Sequence, residues 1–262
     1  MQHMTMNLPS SRRPLPPALS VVVPAYNEAD NLPALLDEID AALRHVTRYE
    51  IVCVDDASDD DTAAALAACA ANRPQLRVLR HRARSGQSAA LRTGVKAARA
   101  DWVATLDGDG QNDPADLPRL LQARADADDS VRLFAGWRVR REDSASKRWA
   151  SRIANAIRTR LLHDATPDTG CGIKLFARDA FLDLPAFDHM HRFLPALMQR
   201  AGWRTLSVPV NHRPRRHGQS KYDNLGRALV GISDLRGVLW LLRRNPCAVA
   251  DERIIRSTEL LS

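Results

Sequence analysis

DWVATLDGDGQNDP, residues 101–114, passes from an apolar segment (101–106) into an acidic, glycine-bearing loop (107–114) with no spacer between them. A strand buried on both faces reads as a continuous apolar run, and WVATL has that character. The loop admits several chemistries. A calcium hand is excluded: counted from Asp107, the sixth position is Asn112 rather than glycine and the twelfth is Pro118 rather than glutamate. A turn before a helix would use the same residues, with Asn112 or Asp113 as cap and Pro114 in the first helical position. The third reading is an Asp-x-Asp site. Asp107 and Asp109, one residue apart, can approach one divalent ion, and Gly108 and Gly110 let the backbone come close to a diphosphate. Magnesium favours oxygen ligands and shares its shell with phosphate oxygens.

What lies upstream of the loop decides the fold class. LSVVV (19–23) ends at Pro24 and is followed by a helical spacing of Leu32, Leu35, Leu36, Ile39 and Leu43. YEIVCV (49–54) reads as a second buried strand. Ser58 and the aspartates of DDASDDDT can cap a helix over 61–71. LRVLRH (76–81) is a third strand, 85–100 a helix opening on glycine, and 101–106 a fourth strand; a helix over 115–126 and VRLFAGW (131–137) follow. Such alternation predicts an α/β protein with a mostly parallel sheet and helices on both faces. Ligands of such sheets bind beyond the carboxyl ends of the strands. PAYNE, DDAS and DGDGQ each follow a strand directly, so the three loops are expected to line one crevice. Tyr26 offers a stacking face, Glu28 a ribose acceptor, and Asp55 or Asp56 an acceptor for a nucleobase N–H.

Charge divides the chain. Segment 132–160 holds nine basic residues against two acids, and segment 211–244 eight against two. The whole chain has a formal charge of only +7, so the remainder is net acidic. In the basic half a helix over 146–162 places Arg148, Ser151 and Arg152 one turn apart, a candidate phosphate site. Arg140, Arg141, Arg158 and Arg160 read as solvated or facing lipid headgroups. Asp168, in DTGCGIK, can orient an arginine or touch a sugar. Met190, Phe193, Leu194 and Leu197 have helical spacing and read as core, while His212 and His217 read as structural or solvent-facing. Over 225–244, Leu225, Leu229, Ile232, Leu235, Leu239 and Leu242 form one face, with Trp240 suited to a headgroup boundary and Arg243–Arg244 to anionic lipid. Asp234 and Arg236 would sit mid-bilayer if this helix crossed, so it is expected to lie on a membrane surface or pack as core.

Several classes are set aside. The four cysteines are scattered without CxxC spacing, which argues against structural zinc or a disulfide framework. Residues 1–18 lack the apolar centre of a signal peptide and read as a disordered tail, as do 245–262. Phosphate contacts could let a basic protein bind nucleic acid, but aromatic residues are only 5%, too sparse for a base-stacking platform.

VVVPAYNEADNLPALL, IVCVDDASDDDT, SGQSAALRTGVKAARADWVATLDGDGQNDPADLPRLL and HGQSKY together resemble the family-2 glycosyltransferases of the polyprenyl-phosphate type. Dolichol-phosphate mannose synthase and undecaprenyl-phosphate formamido-arabinose transferase are of this type; GQSAA and DTGCGIK lean toward the bacterial, undecaprenyl branch. The likeness runs from about Leu19 to about Trp240. It implies a GT-A fold over 19–224, with a donor half (19–137) and an acceptor half (138–224), then the helix at 225–244. It also implies a UDP- or GDP-sugar donor, Mg2+ or Mn2+, and inverting transfer to a polyprenyl phosphate at the cytoplasmic face of the inner membrane. The product would be a lipid-linked sugar for the cell envelope or for lipid A modification, with a membrane partner or a homo-oligomer as further company. By position, Pro24, Tyr26, Glu28, Asp55 and Asp56 would hold the nucleoside, and Asp107, Asp109 and Gln111 the metal and diphosphate. Arg138 would face the phosphates, and Arg215 and Lys221 would belong to the R-x-x-G-x-S-K loop. Two features depart: Ser85 replaces a usual asparagine, and the transmembrane helices many relatives carry are missing from these 262 residues. A transferase with a hydroxyl acceptor is the nearer rival; it would need a general base, and its usual Q-x-x-R-W run is absent.

Overall fold

The structure is a computed structural model that describes residues 15–139, 158–162, 164, 166–213 and 224–244. Seven strands form one sheet: β1 (Leu19–Ala25), β2 (Tyr49–Asp55), β3 (Leu76–Arg80), β4 (Trp102–Thr105), β5 (Val131–Arg138), β6 (Lys174–Ala177) and β7 (Arg204–Val210). Their spatial order is β3-β2-β1-β4-β6-β5-β7. All neighbours pair in parallel except β6, which runs antiparallel between β4 and β5.

The apolar strands are explained by cover on both faces. Val21 and Val23 enter one core with Ile51 and Cys53, whereas Val22 enters the other with Val52 and Val54. Helices α1 (Leu32–Leu43), α2 (Thr62–Ala71) and α4 (Leu117–Ala125) contribute to the first core. The second is supplied by α3 (Gln87–Ala97), α5 (Arg178–Leu182), α6 (Leu194–Arg200) and α7 (Asn224–Arg243). Met190, Phe193, Leu194 and Leu197 are buried there, as their spacing predicts.

Helix α3 meets the sheet at Gly94, where a Cβ would stand 2.4 Å from Val22 Cγ1 and 3.2 Å from Val54 Cγ2. Both neighbours are stiff, β-branched and locked in strands, so they cannot yield cheaply. Gly94→Ala should therefore destabilise the fold by about 1–3 kcal/mol, the usual cost of overpacking. Its helix-propensity gain of up to about 1 kcal/mol offsets only part of this. Urea unfolding measures the difference, and a midpoint at or above wild type would contradict the close approach.

Two local expectations change. Helix α2 gets no side-chain cap from Ser58 or from its N-cap residue Asp61. Ser58 Oγ instead accepts the Asn27 N–H at 3.0 Å, which ties the loop after β2 to the loop after β1. Asp60 Oδ1 takes the Thr62 N–H at 2.9 Å in its place. In α7, Val238 is fully buried and Leu235, Leu239 and Leu242 pack against the second core. Ile232, placed in the same stripe by spacing, is 51% exposed, and Trp240 57%. Of the stripe's described side chains, the body covers Leu235, Leu239 and Leu242 but not Ile232. Arg200 fastens the end of α7 by donating to the carbonyls of Leu241 (3.0 Å) and Arg244 (3.1 Å). No helix among the described residues is long and apolar enough to cross a membrane.

Candidate active site

The parallel strands β1, β2 and β4 end on one side of the sheet, so their loops converge as the alternation predicts. At the end of β2, Asp55 is 1% exposed. Its Oδ1 accepts the Ser58 N–H at 2.9 Å. Oδ2 lies 3.4 Å from Arg80 Nε but has no hydrogen-bond partner among the described residues. Asp56 is engaged on both oxygens: Oδ1 meets His81 Nδ1 (2.7 Å) and the Ser85 N–H (2.8 Å), and Oδ2 the Gly86 N–H (2.8 Å). Beyond β1, the Arg84 guanidinium lies 4.1 Å from the centroid of the Tyr26 ring. Glu28 Oε2 accepts from Asn31 Nδ2 at 2.7 Å. Pro24 is buried in the strand end, and its carbonyl would stand 3.0 Å from a Cβ at Gly108. The acidic loop thus rests directly on β1.

Within that loop the Asp107 N–H donates to Asn112 Oδ1 at 3.1 Å, and Asp107 Oδ1 accepts from Gln87 Nε2 at 2.7 Å. Asp109 Oδ1 accepts the Gln111 N–H at 3.1 Å. Asp113 caps the short helical turn at Pro114–Asp116 through the Ala115 N–H, at 3.0 Å. Arg213 clasps the loop from outside, pairing with Asp113 and, at 2.6 Å, with Glu38 of α1. The turn reading is therefore realised at Asp113, directly after Asp107 and Asp109.

Because β6 runs antiparallel, its beginning rather than its end reaches this edge of the sheet, and Lys174 pairs in register with Thr105. A Cβ at Gly172 would lie 2.1 Å from Asp107 Oδ2, so only glycine leaves space for that carboxylate. Arg138, at the end of β5, is forked by Asp168: Nε to Oδ2 is 2.6 Å and Nη2 to Oδ1 is 2.8 Å. Asp168 orients an arginine, one of the two roles expected for it.

Five charged side chains, Asp107, Asp109, Arg138, Asp168 and Lys174, thus act on one another here. Burial and the neighbouring Asp109 charge push the Asp107 carboxyl up to about 6, while Lys174 and Arg138 hold it down. Burial lowers the Lys174 ammonium, opposed by Cys171, Asp107 and Asp168. Burial also works against the Arg138 charge, but the Asp168 fork raises its pKa on balance. Among the described residues no group of three or more His, Cys, Asp and Glu could hold a metal ion. Two repelling carboxylates on a glycine-rich loop do fit a hard cation that draws its remaining ligands from a diphosphate.

Arg148, Ser151, Arg152, Arg215 and Lys221 lie outside the described residues. Arg158 corrects its expectation: it is buried, pairs with Asp164 and donates to the Thr166 carbonyl rather than facing solvent or headgroups. Lys174, Gly172, Gln87 and Arg213 were not singled out from sequence as site residues. Lys174 carried one signal, a charge at the mouth of an apolar strand.

Residues 20–184 match the profile of Glycosyl transferase family 2. Undecaprenyl-phosphate 4-deoxy-4-formamido-L-arabinose transferase of Pseudomonas savastanoi is 38% identical over 208 residues, which cover 78% of this chain and 60% of that protein. The Pseudomonas fluorescens Pf0-1 protein of the same name is 37% identical, with 80% and 62% covered. The chain thus spans about 60% of the length of these curated relatives. In solved structures, glucosyl-3-phosphoglycerate synthase of Mycobacterium tuberculosis with Mn2+ and UDP superposes at a TM-score of 0.65 and 18% identity, over 86% of this chain and 80% of that one. A mannosyltransferase of Pyrobaculum calidifontis with GDP-Man and Mn2+ gives 0.56 and 23%, over 77% and 59%. Both show the GT-A fold.

Proposed function

The chain belongs to glycosyltransferase family 2, and from that premise we propose that it moves a sugar from a nucleotide-sugar to a polyprenyl phosphate, undecaprenyl phosphate first among them, with inversion. The observation that carries this reading is the meeting of the acidic loop, Asp107 and Asp109, with the forked Arg138 and the buried Lys174 at one sheet edge. The curated relatives, named for an undecaprenyl-phosphate acceptor, support the same choice.

Each group has a task. Asp55 Oδ2, buried without a hydrogen-bond donor among the described residues, would receive a nucleobase N–H. Tyr26 would stack on the base once Arg84 lifts from its ring, and Pro24 and Glu28 would line the ribose side. Asp56 would serve the nucleoside through the 81–86 loop it holds, since its own oxygens are engaged. Asp107, Asp109 and Gln111 would hold Mg2+ or Mn2+, which when bound neutralises charge building on the leaving diphosphate. Arg138 would share that charge. An acceptor phosphate is already an anion near neutral pH, its second pKa being about 6, so it needs no protein base to attack the anomeric carbon in line. It needs relief from repulsion by the donor, which Arg148, Ser151, Arg152, Arg215 and Lys221 would supply.

A screen of UDP- and GDP-sugars with undecaprenyl phosphate and Mg2+ or Mn2+, reading lipid-linked product by mass, tests the proposal. Transfer to soluble hydroxyl acceptors with none to the lipid would overturn it.

The lipid acceptor also calls for a surface, and we place the protein peripherally on the cytoplasmic face of the inner membrane. Ile232 and Trp240 stand exposed on α7, and Arg236, Arg243 and Arg244 line a groove beside Trp240. Apolar insertion together with arginine attraction to anionic lipid gives interfacial binding. Ile232→Ser/Trp240→Ser should lose most flotation with anionic liposomes at unchanged melting temperature. Equal flotation of variant and wild type would reject this face.

A further inference from the structure

Arg158 and Asp164 form an ion pair that the chemistry above does not use. Arg158 is 8% exposed and Asp164 0%. Nη1 and Oδ2 stand 3.3 Å apart, and Arg158 Nη2 donates to the Thr166 carbonyl at 2.7 Å. Arg158 Nε and Nη1 and both Asp164 oxygens have no hydrogen-bond partner among the described residues. Burial lowers the Arg158 guanidinium and pushes the Asp164 carboxyl up to about 6. Both shifts run against the charged forms. A buried pair so incompletely hydrogen bonded adds little to stability, and apolar side chains of similar volume often replace such pairs without loss. Packing alone is a poor account of it.

Its place in the chain suggests a better one. Arg158 makes two contacts here, with the Asp164 side chain and with the Thr166 carbonyl. Two residues on, Asp168 forks Arg138 on both arms. The Asp168 charge is also felt at Arg158. We propose that Arg158 and Asp164 are positioning residues: Arg158 holds Asp164 and the Thr166 carbonyl so that Asp168, two residues on, aims Arg138 at the donor diphosphate. This rests on the role given to Arg138 above. It also connects the basic segment that precedes Arg158 in sequence, where the acceptor residues are proposed, to the donor arginine.

Calorimetric titration of UDP and of GDP with Mn2+ into the full chain tests this, using wild type, Arg158→Met, Arg138→Ala and the double variant. Each single change should weaken the better nucleotide about tenfold or more, the usual scale for losing a supporting contact. The double variant should bind within about twofold of Arg138→Ala, because residues acting through one fork are not additive. Independent, additive losses would overturn the proposal. So would unchanged affinity in Arg158→Met beside a weakened Arg138→Ala, which would leave the role of Arg138 standing. Unchanged affinity in Arg138→Ala, or a wild type that binds neither nucleotide, would sink both readings. Arg158→Met/Asp164→Leu guards against simple misfolding: it should melt near wild type yet bind nucleotide as weakly as Arg158→Met. Recovery of affinity in that variant would mean the pair only fills space.

Discussion

Asp109→Asn is expected to reduce sugar transfer about 10³-fold or more, while the protein should melt at its wild-type temperature. The scale is that of removing one preorganised group from the charge developing in the transition state. The fold should survive because asparagine keeps the oxygen that accepts the Gln111 N–H. A side effect on Asp107 can be discounted by sign. The Asp109 charge is one of the causes that raise the Asp107 carboxyl to about 6. Removing it lowers that pKa, so Asp107 is more fully ionised at pH 7 in the variant than in wild type. The loss is therefore not due to a protonated neighbour, and raising the assay to pH 8 should not restore it. Turnover within a few-fold of wild type, with metal dependence intact, would refute the assignment of Asp109.

Gly172→Ala is expected to cost about 10²-fold in kcat, with much less effect on stability. The new methyl would lie 2.1 Å from Asp107 Oδ2 and 2.5 Å from Asn112 Oδ1. Both are side-chain oxygens, so the strand can stay in place while the carboxylate swings away. Swinging it breaks the alignment with Gln87 and Asp109, and misplacement by about 1 Å at a reacting centre can cost 10²-fold. Gly237→Ala is the control, since nothing lies within 4 Å of its added carbon. If Gly172→Ala retained full kcat, the crowding of Gly172 against the acidic loop would be irrelevant to the chemistry.

The three strand-end loops were legible because their signal is local. An apolar run buried on both faces, cut by proline or aspartate, marks a strand end, and strand ends of a parallel sheet share one edge. Asp55, Asp107 and Asp109 could be placed on that edge without coordinates. Asp56 could be placed there too, but not the three hydrogen bonds that occupy it, because its partners His81, Ser85 and Gly86 belong to another loop. For α7, spacing named a stripe but not how far the body would cover it, and Ile232 fell outside that cover.

By itself, then, the sequence determined the alternating α/β layout, the crevice where three loops meet, the acidic Asp-x-Asp loop and the separation of acidic from basic segments. Each follows from periodicity or composition within a short window. Tertiary structure alone decided that β6 enters antiparallel between β4 and β5. That reversal brings Gly172 and Lys174 beside Asp107, which precedes them by more than sixty residues. It alone also buried Arg158 against Asp164 and turned Asp168 onto Arg138. Strand direction and ion pairing at such separations are chosen by the packing of the whole sheet, and no local window of residues contains that choice.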